Sequence, residues 1–389
     1  MKAKNLIVLL VIAVVLGGVA IWTQRSDEEP SDLIGELVVG ELPLNDVAAL
    51  VITTPDSTSR LARSADVWVS ESDFNYPADF NRIKAAVLKV SELKVGQVVE
   101  AEAADKAAMK MVSPIDSPDG GTQVDLLDAS GKQLASLLVG ETRKRSGDAQ
   151  SRFGAYPDGQ FVSPDSGETV YLVTDTLYEF NQASGWLDKE LVSVQGTDVT
   201  SVSIAGPDRD TLELAPSEGG SDLVVPELGK QEEMNATQAN SIKSALSYLR
   251  FESVADPTLA DDTLALDTPD TFVVRTKRGE IYTVQIGAKT PDSDNRYARV
   301  SVALEPAAPE ASPADDAEQT GEEKQAAEAE KTRKSEARAA LEQTVADLNA
   351  TLGPWTYVIA SYKTDAMRST RDQVVQAIED KSDDKKEEE

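Results

Sequence analysis

From residue 46 onward the hydrophobic positions follow two periods, one of two residues and one of about 3.6. Val47, Leu50 and Ile52 predict a strand over 46–53, Pro55-Asp56-Ser57 predicts a turn, and a second strand is expected over 60–69, ending in Val67-Trp68-Val69. Ile83, Val87 and Val90 fall at i, i+4 and i+7, the stripe of a helix lying on a sheet, with Asp79 as its N-cap. A short helix is expected over 101–111. Val124 and Leu126, then Ala135, Leu137 and Val139, alternate on either side of Asp128-Ala129-Ser130-Gly131 and predict a hairpin. Short strands are expected at 151–156 and 169–173. A helical turn over 177–184 closes at Gly185, where a left-handed C-cap suits glycine.

The same order then recurs. Val199, Val202 and Ile204 predict an entry strand, and Leu212 to Leu214 and Leu223 to Val225 predict the next two. Ile242, Leu246 and Leu249 predict a helix from about Asn235, at one constant offset from Ile83, Val87 and Val90. Phe272, Val274 and Thr276 form a hairpin with Tyr282, Val284 and Ile286 across Lys277-Arg278-Gly279-Glu280. Arg296-Tyr297-Ala298-Arg299 echoes Arg152-Phe153-Gly154-Ala155, and Leu348-Asn349-x-x-x-Gly353 echoes Phe180-Asn181-x-x-x-Gly185, each followed by a Trp. Matching elements in matching order read as an internal duplication. The expected fold class is α+β: two tandem repeats with mainly antiparallel sheets, over 46–194 and 198–362. The short junction around Gly185 to Ile204 predicts that the repeats pack as one body, with any ligand or partner site spanning their junction.

Two segments depart from this plan. Residues 305–338 form an insertion rich in Ala, Glu, Pro and Lys. Pro306 to Pro313 has the composition of a disordered segment. The rest, with Glu330/Lys334 and Arg338/Glu342 at i, i+4, is expected to be helical and to run on to Gly353-Pro354. In the charged tail over 363–389, Met367, Val374 and Ile378 fall on one possible helical face.

The N-terminus carries a different signal. A basic head, Met1 to Lys4, precedes an uncharged apolar run over 5–22, and Asp27, Glu28 and Glu29 follow it. Eighteen residues of helix span ~27 Å, close to a ~30 Å hydrocarbon core. The reading is a transmembrane anchor with the N-terminus cytoplasmic and the bulk of the chain on the periplasmic side of a bacterial inner membrane, with residues 23–45 as a linker. Gly18-Val19-Ala20 keeps a cleaved signal peptide as the alternative.

Composition then narrows the chemistry. A formal net charge of −30 argues against nucleic acid as a partner. The chain has no Cys and no His, which excludes disulfides, thiolate and Ser-His-Asp catalysis, and His-metal sites. No cofactor or metal is expected. Ser91-x-x-Lys94, Ser293-Asp294-Asn295 and Lys363-Thr364-Asp365 come near the penicillin-recognising set. Against that, Ser91 lies at a helix end, and Asp365 stands where backbone approach needs Gly. Asp292 to Asn295 lacks the rest of a calcium loop and reads as a polar turn. Asn235-Ala236-Thr237 and Asn349-Ala350-Thr351 match the glycosylation pattern, yet sit where caps or helix surface are expected. Trp68, Trp186 and Trp355 read as core or sheet-edge packing rather than a binding box. Arg152, Arg296 and Arg299 are the candidate ligand- or partner-binding positions, in equivalent strands beside aromatics; ion pairing with nearby carboxylates is the plainer reading.

Laid out in this way, the chain resembles the bacterial domain of unknown function 4340 family. The resemblance rests on Trp68 followed by Tyr76-Pro77-Ala78-Asp79, the turn and strand from Gly131 to Gly140, Arg152 to Tyr156, Val170-Tyr171-Leu172-Val173, and Gly185-Trp186-Leu187-Asp188-Lys189. It implies a membrane-anchored extracytoplasmic protein associated with ABC-type transport components of the gliding-motility auxiliary kind, and it offers no catalytic residues. The expected function is thus a non-catalytic accessory or scaffold of such an assembly. The alternative is an extracytoplasmic module that binds a glycan or peptide in a cleft between the repeats. A hydrolase without His is a third reading.

Overall fold

A computed structural model describes residues 32–65, 67–144, 157–207, 209–217, 220, 222–226, 228–306 and 321–378. The apolar run over 5–22, Arg152, the strand expected at 151–156, the first part of the insertion and the end of the charged tail lie outside these residues. Among the described residues no helix is long and apolar enough to cross a membrane. The chain divides into two compact units, Met1–Asp188 and Lys189–Glu389. Both are mixed α+β, and every paired strand in them is antiparallel.

The first unit contains strands β1 (Ala49–Thr53), β2 (Thr58–Ser64), β3 (Val67–Ser70) and β4 (Tyr76–Pro77), helix α1 (Phe80–Glu92), β5 (Gln97–Val99), α2 (Ala103–Ala108), β6 (Thr122–Leu127), β7 (Gln133–Lys144), β8 (Pro157–Ser163) and β9 (Val170–Val173). They form one sheet in the order β4-β3-β2-β1-β6-β7-β8-β9-β5. Alternation decides which face is buried: Leu50 and Ile52, Val124 and Leu126, Leu137 and Val139 point to the core, where Ile83, Ala86, Val87 and Val90 of α1 meet them. Each buried Val, Leu or Ile among them contributes roughly 1.5–3 kcal/mol by leaving water. Asp79 caps α1 by accepting from the Arg82 N–H at 3.0 Å, and its own N–H donates to the Trp186 carbonyl at 2.7 Å. Trp186 is buried against Phe180, and the Arg82 guanidinium lies 4.8 Å over its ring while donating to the Gly185 carbonyl.

Several sequence expectations need correction here. The second strand divides into β2 and β3, because Ala65 takes a left-handed φ of +52° and turns the chain back on itself. The helical turn over 177–184 contracts to a 3-10 turn at Tyr178–Phe180, although Gly185 does take a φ of +93°. Part of the expected linker is tied to the unit. The Gly35 and Val38 N–H groups donate to the Val95 and Leu93 carbonyls, the Val95 N–H donates to Glu36, and Val38 is buried.

The second unit contains β10 (Glu190–Val192), β11 (Val199–Gly206), β12 (Arg209–Pro216), β13 (Leu223–Val224), β14 (Glu232–Met234), α3 (Ala236–Lys243), β15 (Leu249–Arg250), β16 (Ser253–Val254), α4 (Asp261–Leu264), β17 (Asp270–Thr276), β18 (Glu280–Lys289), β19 (Arg296–Leu304), α5 (Gly321–Leu352), β20 (Tyr357–Ile359), α6 (Ser361–Met367), α7 (Arg371–Val374) and β21 (Val375–Ala377). The main sheet runs β13-β12-β11-β17-β18-β19-β20-β16, and β10-β15 and β14-β21 form small pairs. Phe272, Val274, Val284, Ile286, Ala298 and Val300 are buried along one face, as their alternation predicts.

Here too the helices depart from expectation. α3 stops at Lys243 rather than running to Leu249. The Ser241 and Ser244 hydroxyls turn back onto the Thr237 and Asn240 carbonyls, and the chain tightens into i→i−3 turns. Leu246 and Leu249 are still buried, but from a turn and a short strand. The tail is not one helical face. Thr370 opens α7 with a capping box, and the chain then straightens into β21 against β14, leaving Ile378 exposed. α5 does form the two expected pairs, Glu330–Lys334 at 2.7 Å and Arg338–Glu342 at 2.9 Å, and it ends before Gly353.

Candidate functional site

The arginines singled out from sequence have separate fates. Arg152 lies outside the described residues. Arg296 and Arg299 are three apart on β19, so they face opposite sides of the sheet. Arg299 forks onto Asp261 of α4, with Nη1 and Nη2 donating at 2.9 and 2.6 Å, and its Nε donates to the Thr356 hydroxyl at 3.0 Å. The hydrogen bond from Arg299 holds the Asp261 carboxyl below its ordinary range, and the same bond raises the guanidinium. Arg299 is therefore engaged in an ion pair at the surface.

Arg296 belongs to a different neighbourhood. Sheet register places Asp270 at the start of β17 and Arg209 at the start of β12, while Arg368 follows the last turn of α6. Arg209 Nη2 donates to Asp270 Oδ1 at 2.8 Å, and Arg368 Nε donates to Asp270 Oδ2. Arg209 Nη1 also donates to the Arg368 main-chain carbonyl, which ties the last part of the chain to the edge of β12. One carboxylate thus holds two guanidiniums, one on each oxygen. Arg296 donates Nη1 to the Gly287 carbonyl at 2.9 Å and lies beside this triad. Burial lowers its pKa first and the positive charge of Arg368 lowers it further, against a smaller opposing pull from Asp270, Asp365 and Asp294.

These groups line a pocket of about 470 Å³. Arg209, Arg296, Arg368 and Asp270 supply its charge, Thr268, Thr370 and Gln373 its neutral polar groups, and Ile286 and Ala288 part of its apolar wall. The first unit has a larger pocket, about 590 Å³, but Lys110 in its lining is paired with Glu141 at 3.4 Å, and Asp56 and Asp119 add further negative charge.

The remaining motifs serve structure. Ser91 donates to the Leu88 carbonyl in the last turn of α1. Asp294 pairs with Lys289 at 2.6 Å, and Ser293 accepts from the Asn295 N–H. Lys363 donates to the Ser247 carbonyl at 3.0 Å, and burial lowers its pKa. Asn235 caps α3, accepting from the Gln238 N–H, and Asn349 bonds the backbone of β19. Trp68 and Trp186 are buried and Trp355 is half-buried. Among the described residues no three acidic side chains gather closely enough to hold a metal ion.

Sequence reasoning missed Arg209, Asp270 and Arg368. Each reads locally as a charged residue at an element end, and only the pairing of β11 with both β12 and β17 brings the first two together. No curated protein and no solved structure matches the chain. The family model described as Domain of unknown function (DUF4340) matches residues 68–269, more than half of the 389 residues, and the chain belongs to that family.

Proposed function

We propose that this protein is a non-catalytic accessory module, anchored by its N-terminal apolar run, exposed on the extracytoplasmic side and partnered with an ABC-type assembly, and that its two units are copies of one α+β design. The observation that carries the reading is the correspondence of strand order. From β3 the first sheet runs β3-β2-β1-β6-β7-β8-β9-β5, and the second runs β13-β12-β11-β17-β18-β19-β20-β16. In both, a helix follows the first strands and precedes the last-placed edge strand, α1 before β5 and α3 before β16. Two copies of a sheet design present two related surfaces, which suits a body that holds partners. The reactive side chains named from sequence support the same reading, since Ser91, Asp294 and Arg299 are occupied in a helix end and in ion pairs. The basic head and apolar run support the anchor, and the family resemblance supports the ABC-type partner.

Affinity purification of the full-length chain from solubilised membranes tests this. Co-purification of transporter subunits is the expected result, and recovery of none counts decisively against the accessory role. Protease treatment of intact spheroplasts should cut the chain beyond the apolar run; protection would reverse the orientation. A second reading, a ligand-binding module, is favoured by one observation, the arginine-lined pocket of the second unit.

A further inference from the structure

The pocket formed by Arg209, Asp270, Arg296 and Arg368 carries an imbalance that structure alone does not explain. Asp270 spends both carboxylate oxygens on Arg209 and Arg368. An Arg-Asp-Arg triad of this kind is a reasonable tie between strand ends and the last part of the chain, and by itself it points to no ligand. Arg296 changes that. It is half-buried and lies beside a like charge, and among the described residues its side chain bonds the Gly287 carbonyl and pairs with no carboxylate. Holding a third guanidinium here costs desolvation and repulsion, which the single carbonyl bond and the pull of Asp270, Asp365 and Asp294 offset only in part.

Among the described residues, the charged groups lining the cavity are three cations and one anion, a net of two positive charges in a chain whose formal charge is −30. Guanidinium forks suit oxyanions, and a monocarboxylate would cancel only half of that charge. Thr268, Thr370 and Gln373 add hydroxyl and amide donors, and Ile286 and Ala288 give an apolar wall for whatever carries the oxyanion. We infer that this pocket binds a doubly charged oxyanion of the phosphate-monoester class, with Arg296 as the cation that completes its coordination. The inference does not depend on the accessory role.

Titration calorimetry of the full-length chain with inorganic phosphate tests it. Saturable binding is expected, stronger as pH rises and the phosphate loses its second proton, and much stronger than for acetate. Arg296→Gln should weaken it on the order of tenfold or more, the loss of one charge-assisted hydrogen bond. Thr268 is exposed at the pocket lining, so Thr268→Glu should abolish binding without disturbing the core, which keeps the test valid if the arginine variant misfolds. Glycerol phosphate and short-chain phosphatidic acid serve as the two arms for source. Tighter binding of the lipid assigns a membrane headgroup, and tighter binding of glycerol phosphate assigns a soluble phosphate. No saturation by millimolar phosphate, equal binding of acetate, or unchanged binding in both variants would overturn the assignment.

Discussion

Asn349 pairs with Val302 as a neighbouring strand would. Its Oδ1 accepts from the Val302 N–H at 2.9 Å, and its Nδ2 donates to the Val302 carbonyl at 2.6 Å. β20 pairs with β19 only from Arg296 to Ala298, so beyond that point a side chain of α5 takes over the ladder. The residue that sequence placed both in a glycosylation-type triplet and in the Leu-Asn-x-x-x-Gly motif is thus an edge-capping group.

Asn349→Ala should leave both main-chain groups of Val302 without their partner, at a cost of about 1–3 kcal/mol. Asn349→Asp should recover only part of this, because a carboxylate can accept from the N–H but opposes the carbonyl. Urea unfolding of the three proteins checks the order, and equal midpoints would remove Asn349 from this role.

Gly287 is expected to be intolerant of any side chain. A Cβ there would run into the Leu264 carbonyl at the end of α4, with the Leu266 side chain also 3.2 Å away. Backbone cannot move aside as a flexible side chain can, so Gly287→Ala should cost about 1–3 kcal/mol by overpacking. It should also disturb the carbonyl that receives Arg296. Thermal unfolding together with phosphate titration reads both effects; a variant as stable as the parent would show that α4 yields easily.

Glu232 sets an acid-side dependence. Arg371 forks onto it at 2.9 and 2.6 Å and the Gly229 N–H adds a third donor, which together hold its carboxyl down to about 2 from an ordinary 4.5. A depressed carboxyl stabilises the fold above its unfolded value, and that contribution fades as pH falls from about 4.5 through about 2. In this window the unfolded chain binds more protons, so stability rises with pH. The pair is exposed, so salt should weaken the effect. The urea midpoint of the parent should fall more steeply with acid than that of Glu232→Gln, and identical slopes would show that the pair contributes nothing.

Much of the fold was legible because burial on a sheet repeats every two residues and burial on a helix about every 3.6. The hairpins at Val124–Val139 and Phe272–Ile286, the Asp79 cap and the α5 charge pairs follow from neighbours in the chain, and the structure has them where the sequence put them. The misses share a cause. Ala65, the serines of α3 and the Thr370 cap end or turn elements by backbone and side-chain hydrogen-bond choices that hydrophobic period does not encode.

Residue pattern alone specifies the family, the antiparallel α+β character, which faces are buried, and the exclusion of His and Cys chemistry. What the arginines do follows from the fold in three dimensions. Arg296 and Arg299 look alike in sequence, yet strand alternation sends one to a partner carboxylate and the other to a pocket. Arg209, Asp270 and Arg368 meet through strand register and the fold of the last helices. Electrostatic partners are set by distance in space, and distance in space across a sheet is fixed by pairing, which no local pattern in the chain records.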